Sequence, residues 1–277
     1  MRYTDRTYIM GILNVTPDSF YDGGKFFDIE HAVKHAYEMI EQGADIVDIG
    51  GNSTRPGSVQ VSPEEEFKRI EPVLKKLRKK KHVQLSVDTF YPEVAQKVID
   101  LGVDIINDVT GLRENNGLAK IVAKNNTQII IMHSKGEPKN MQEKPFYSDV
   151  INDVTCSLKR SIDIAKNAGI RDENIIIDPG IGFGKTIDHN IMIIKYLESF
   201  KKLMYPILLG VSRKSFIGKV IDKEDPKDRY RGSIAANVIG ILNGANIIRV
   251  HDVEDMKEIA LFCDRVKRVK MKEALIC

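Results

Sequence analysis

The sequence predicts a (β/α)8 barrel, a TIM barrel, in which residues 1–277 form one domain. Three observations lead to it. Eight short apolar runs recur along the chain, amphipathic segments of helical period lie between them, and no linker or compositional shift interrupts the alternation. A doubly wound open sheet gives the same alternation, and periodicity does not separate the two folds.

The strands are read at 8–14 (YIMGILN), 45–50 (DIVDIG), 83–88 (VQLSVD), 104–109 (DIINDV), 128–133 (QIIIMH), 174–179 (NIIIDP), 206–211 (PILLGV) and 246–251 (NIIRVH). They are continuously apolar rather than alternating, as parallel strands covered on both faces should be.

The first helix carries Ile29, Ala32, Val33, Ala36, Met39 and Ile40 on one face, with Gly43 placed to stop it. Ser62-Pro63-Glu64-Glu65 reads as a capping box with proline in the first turn, opening a helix through Phe67, Ile70, Leu74 and Leu77. Pro72 inside that pattern predicts a bend rather than a break. Six further helices fit 92–102, 117–125, 148–169, 188–200, 230–244 and 252–270.

Composition excludes several function classes. A net charge of +3 from 42 basic and 39 acidic residues is too even for a polyanion-binding protein. The basic clusters at 75–81 and 265–270 each close a helix, where cations meet the negative end of the dipole. No run is long enough to span a membrane, and no signal peptide opens the chain. Cys156, Cys263 and Cys277 are odd in number and lack metal spacing, which predicts free thiols and a cytoplasmic enzyme.

Polar residues gather where strands end, which in a barrel is the active-site face. They are Asn14, Asp48, Asp88, Asn107 with Asp108, His133, Asp178, the SRKS run at 212–215, and Arg249 with His251. One such aspartate would read as a turn cap; repetition over nearly every strand points to a polar ligand pocket. Asp88, Asn107 and Asp178 suit a planar nitrogen heterocycle with several donors and acceptors. Arg55, Arg249 and His251 suit phosphate oxygens. Asn14 is a hard oxygen donor that could share a magnesium ion with a diphosphate.

His31, His35, His82 and His189 read as surface residues, and no zinc spacing or nucleophile elbow occurs. The stretch IIIDPGIGFGKT at 175–186 ends like a phosphate-binding P-loop, but that pattern needs glycine where Pro179 stands. Its glycines instead leave room for a flat ligand against the backbone, and Lys185 with Thr186 are expected to begin the next helix.

Taken together, GILNVTPDSFYDGG (11–24), DIGGNSTRPG (48–57), SVDTF (86–90), INDVTG (106–111), DPGIGFGKT (178–186), GVSRKSFIG (210–218) and RVHDV (249–253) resemble the dihydropteroate synthase family of pterin-binding enzymes. The resemblance implies a TIM-barrel transferase of folate biosynthesis and a sulfonamide target. It joins 4-aminobenzoate to a dihydropterin pyrophosphate with Mg2+ and releases pyrophosphate. It implies pterin contacts at Asp88, Asn107, Asp178 and Lys214, with Met132 and Gly210 lining the pocket and Arg213 packing on the ring. Asn14 matches the magnesium contact, Arg249 and His251 the diphosphate site, and Phe183 and Ser215 the aminobenzoate site. Thr16 to Phe20 match a first mobile loop, and Thr54, Arg55 and Pro56 a second. A homodimer through the later helices is also implied; the helix at 230–244, apolar on more than one face, agrees with it. Partners are therefore small molecules, without nucleic acid or membrane. A pterin-dependent methyltetrahydrofolate:corrinoid methyltransferase and a non-catalytic pterin-binding paralogue are the alternatives.

Overall fold

A computed structural model describes residues 3–16, 25–52, 58, 60–78, 83–113, 117–136, 141 and 145–269. Eight parallel strands run β1 (Tyr8–Asn14), β2 (Ile46–Gly50), β3 (Gln84–Asp88), β4 (Ile105–Asp108), β5 (Gln128–Met132), β6 (Ile175–Asp178), β7 (Leu208–Leu209) and β8 (Ile247–Val250). Their order is β6-β5-β4-β3-β2-β1-β8-β7. A parallel bridge from Ile177 to Ile207, with Ile177 N–H donating to Pro206 O at 2.9 Å, joins the two ends. That closure is what an open doubly wound sheet lacks, so the fold is the TIM barrel.

The described helices are α1 (Lys25–Glu41), α2 (Pro63–Leu77), α3 (Pro92–Asp100), α4 (Leu118–Lys124), α5 (Val150–Asn167), α6 (Ile187–Lys195), α7 (Ser215–Ile221), α8 (Tyr230–Leu242) and α9 (Val253–Arg268). Gly43 follows α1 with φ +96°, and its N–H donates to Ile40 O, as a left-handed stop requires. Ser62 caps α2 by accepting from Glu65 N–H, while the Glu65 carboxylate pairs with Arg69 at 2.9 Å. Pro72 lies inside α2 without ending it.

Two features depart from the sequence reading. The helix expected at 188–200 ends at Lys195, and a 3-10 segment takes over at Leu197–Leu203. Asn243, at the end of α8, donates its amide to the carbonyls of Ile194 and Lys195, satisfying the C-terminus there. An additional helix, α7, forms after β7 from residues outside the eight expected helices.

Alternation along each strand divides the core in two. Outward residues such as Ile9, Val47, Leu85, Ile106, Ile129, Ile177 and Ile248 pack under the helices. Inward, Tyr8, Met10, Ile46, Ile105, Ile130, Ile176, Leu208 and Ile247 fill the barrel together with Tyr3. Tyr3 closes the floor, its hydroxyl lying 3.1 Å from Gln84 Oε1 and 3.0 Å from Gln128 Oε1. Beside it Asp264 of α9 accepts from Thr7 N–H at 2.7 Å and from Thr7 Oγ1 at 2.8 Å. No described helix is long and apolar enough to cross a membrane.

Glu66 of α2 is fully buried beneath Gly51, where an added Cβ would stand 2.9 Å from Glu66 O. Among the described residues neither carboxyl oxygen makes a hydrogen bond of good geometry, although Thr89 and Asn52 lie beside it. Burial pushes its pKa up to about 7, with neighbouring Thr89, Asn52 and Arg69 pulling the other way. An acid held above its unfolded value contributes fully below that value, here 4.5, and loses the contribution as pH rises through 7. Glu66→Gln is therefore expected to leave stability near pH 4.5 unchanged and to raise it by about 3 kcal/mol above about pH 8.5. Urea unfolding at the two pH values checks this, and equal effects at both would contradict it.

Candidate active site

The inward positions that form the apolar barrel filling are followed, two residues on, by a layer that is largely polar, with Met132 and Gly210 as its apolar members. Ile46 leads to Asp48, Ile105 to Asn107, Ile130 to Met132, Ile176 to Asp178, Leu208 to Gly210 and Ile247 to Arg249. Asp88 pairs with Asn107 in register, and Met132 with Asp178. The strand period therefore brings residues far apart in sequence to one end of the barrel.

Asp48, wholly buried, lies at the centre of this layer. It accepts from Ser86 Oγ at 2.6 Å, from Asn107 Nδ2 at 3.1 Å and from Arg249 Nε at 2.7 Å. Arg249 Nη2 also stands 3.6 Å from Asp88. Burial, then the nearby Asp48 carboxylate, pushes the Asp88 pKa up, while Arg249 opposes the rise. Asp48 was legible as a strand-end residue but not as this hub, since its partners lie up to 201 residues away.

Asp178 ends β6 and accepts from Gly180 N–H at 2.7 Å. Burial raises its pKa against the attraction of Lys214, Lys185 and Arg249. Burial also pushes Lys214 down to about 8, with Asp178 resisting. The Lys214 ammonium donates to Ile181 O and lies 4.8 Å from the Phe183 ring centroid. A cation on the face of the ring fixes both side chains at one edge of the pocket.

His251 Nδ1 is 2.9 Å from Ser212 Oγ. Arg213 adopts φ 57° and pairs with Asp252, Nη2 to Oδ1, at 2.5 Å. Its backbone is held as well, N–H donating to Ser233 Oγ and the carbonyl accepting from Arg229. Ser215 is exposed at the start of α7. Asn14 is half-buried at the end of β1, its Oδ1 3.8 Å from where a Gly50 Cβ would stand. Thr54, Arg55 and Pro56 and residues 17–20 lie outside the described residues.

Other residues take structural work. Asp108 points away from the layer and accepts from Thr110 N–H, Thr110 Oγ1 and Leu112 N–H, the turn-cap role. His133, the residue after β5, is buried, as a packed strand-end residue is. His189 completes a capping box with Thr186, which does begin α6. Lys185 does not share that role; it is buried beneath the loop. Its pattern resembles a phosphate-binding lysine, but the local sequence shows nothing of its long-range partners.

A model of the pterin binding enzyme family matches residues 10–251. The dihydropteroate synthase of Clostridium beijerinckii is 48% identical over 265 residues, 95% of this chain and 96% of that one. The dihydropteroate synthase of Bacillus subtilis is 44% identical over 264 residues, 95% of this chain and 90% of that one. The solved structure of Xanthomonas albilineans dihydropteroate synthase with 4-aminobenzoic acid superposes with a TM-score of 0.90 at 41% identity, covering 96% of this chain and 95% of that one. The same enzyme in complex with 7,8-dihydropteroate gives 0.87 at 38% identity and the same coverage. The chain belongs to the pterin-binding enzyme family and, within it, to the dihydropteroate synthases.

Proposed function

We propose that this transferase condenses a 6-hydroxymethyl-dihydropterin pyrophosphate with 4-aminobenzoate to give dihydropteroate and pyrophosphate, the reaction that sulfonamides, as aminobenzoate mimics, would block. The observation that carries the reading is the polar layer organised by Asp48. It gathers carboxylate, carboxamide and cation at one barrel mouth, over an apolar floor. A pterin is flat and carries several N–H donors beside acceptor nitrogens. Asp178 and Asn107 are suited to its edge, Asp88 and Lys214 to its remaining polar atoms, and Met132 and Gly210 to its faces. Arg213, held through Asp252, forms one wall.

In the substitution, the C–O bond to pyrophosphate breaks with its electron pair leaving on oxygen. The arylamine nitrogen forms the new bond and releases one proton to solvent. An arylamine is already uncharged at neutral pH, so no strong base is needed. The demanding step is departure of the diphosphate. Arg249 uses Nε on Asp48 and retains further N–H donors for diphosphate oxygens, and His251 follows directly after the end of β8. The bound pterin can spread positive charge developing on its methylene, which makes the substitution dissociative. Phe183 and Ser215 receive the aminobenzoate, Phe183 already seated against Lys214.

Mg2+ fits the site only together with substrate. Among the described residues no three His, Cys, Asp or Glu cluster as a metal cage. An ion that retains waters and takes diphosphate oxygens needs little more than the Asn14 carboxamide from the protein. Bound there, it would neutralise charge on the departing pyrophosphate.

A cytoplasmic setting accords with Cys156 and Cys263 being free thiols. A homodimer would cover the apolar surface of the last helices, where Leu261, Phe262 and Val266 of α9 and Ile239 and Leu242 of α8 are exposed.

The first test is pyrophosphate release, expected only with both substrates and magnesium present, and reduced about a hundredfold in Asp178→Asn. Release without aminobenzoate, or none from well-folded protein, would refute the synthase reading. Dissociative substitution is checked by product partitioning: Phe20→Ala and Arg55→Ala should admit water and raise the hydrolysed pterin relative to dihydropteroate. Unchanged partitioning would count against it. Light scattering at micromolar concentration should give twice the 31.3 kDa chain mass, and a monomer would remove the dimer.

A further inference from the structure

We propose that Lys185 is a positioning residue: from beneath, it ties the 180–184 loop to the end of β5 and so sets Phe183 for the second substrate. Its side chain is buried. Nζ lies 2.8 Å from Gly180 O, 3.1 Å from Phe183 O and 2.8 Å from His133 Nδ1. Two of these contacts fall on the loop and the third on the residue after β5, 52 positions earlier. A single nitrogen thus joins the two ends of the Gly180–Phe183 turn to a neighbouring strand.

Within the loop Ile181 is packed into the core, but three of the five residues are glycines with positive φ, at 69°, 82° and 64°, which offer no side chain to pack. Close backbone approach demands them. An added Cβ would stand 1.7 Å from His133 O at Gly180 and 2.1 Å from Lys135 O at Gly184. Glycine permits this shape but contributes the greatest freedom to an unrestrained chain. At the glycines and on either side of Ile181, further restraint comes from hydrogen bonds.

Those bonds converge from several elements. Gly182 N–H donates to Asn190 Oδ1 at 2.7 Å, and Tyr147 Oη donates to Gly184 O at 2.9 Å. Lys214 donates to Ile181 O from the pocket side. Lys185 is the one described side chain hydrogen-bonded to the carbonyl of Phe183 itself. Lys214, the donor to Ile181 O, has the Phe183 ring lying against it.

The arrangement works in either protonation state of the lysine. Burial pushes its pKa well below the ordinary value while Asp178 pulls it back. As an ammonium it donates all three hydrogen bonds. As an amine it donates to the two carbonyls and accepts from the His133 ring. Burial, then Lys185, holds His133 well below its ordinary pKa, so the imidazole is neutral and can take either part.

The inference rests on the proposed function for its substrate readout and on the geometry alone for its loop readout. Pyrophosphate release by the unaltered enzyme is measured first; its absence overturns the function and leaves amide exchange to decide the role of Lys185. Lys185→Met keeps the length and apolar stem. It is expected to raise the KM for 4-aminobenzoate about tenfold, with kcat and pterin affinity changed less than about threefold. The Gly182 and Phe183 amides should exchange about tenfold faster, with β6 unaffected.

Equal losses for both substrates would indicate a merely structural role and overturn the proposal, as would unchanged KM and exchange. Should Lys185→Met fail to fold, His133→Phe removes the Nδ1 partner while keeping an aromatic ring. A smaller rise in the same KM is expected, and an unchanged KM would overturn the proposal.

Discussion

The buried Asp48 carboxylate is the constraint on which the site depends. A charge without solvent is costly unless every lone pair is engaged. Here Ser86, Asn107 and Arg249, from three different strands, each engage it. Satisfying Asp48 therefore orients Asn107 toward the pocket and fixes the stem of Arg249. The same negative charge disfavours ionisation of Asp88, leaving one barrel mouth with carboxyl groups in unlike electrostatic surroundings.

The layered barrel interior makes this possible. Ile46, Ile105, Ile130, Ile176 and Ile247 exclude water directly below the polar layer, so its interactions act in a weakly screening medium. The loop after β6 extends the same logic upward. Its glycines let backbone lie close to His133 and Lys135, and Lys185 and Lys214 add hydrogen bonds to the anchoring by buried Ile181.

Much of this was legible in the sequence because the signals are local. The eight strands are continuous apolar runs, and Asp88, Asn107, Asp178 and Arg249 stand near their carboxyl ends. What was not legible depends on partners distant in the chain. Asp48 lies two residues before the end of its strand, and only the barrel brings Arg249 against it. Helix α6 stops because Asn243 reaches its carbonyls, which no property of 188–200 reveals. Lys185 follows Gly184 in a sequence that suggests a helix start, whereas its burial depends on His133.

The floor of the barrel bears on how the chain is made. Thr7 is held by Asp264, 257 residues later, and Tyr3 by Gln128, 125 residues later. The first strand leaves the ribosome long before the helix that secures it exists. Ile9 and Met10, fully covered in the finished barrel, must wait exposed or transiently shielded until β8 and α9 emerge. Closure is consequently a late event of synthesis, and the earliest strand is the one whose attachment is completed by the last helix.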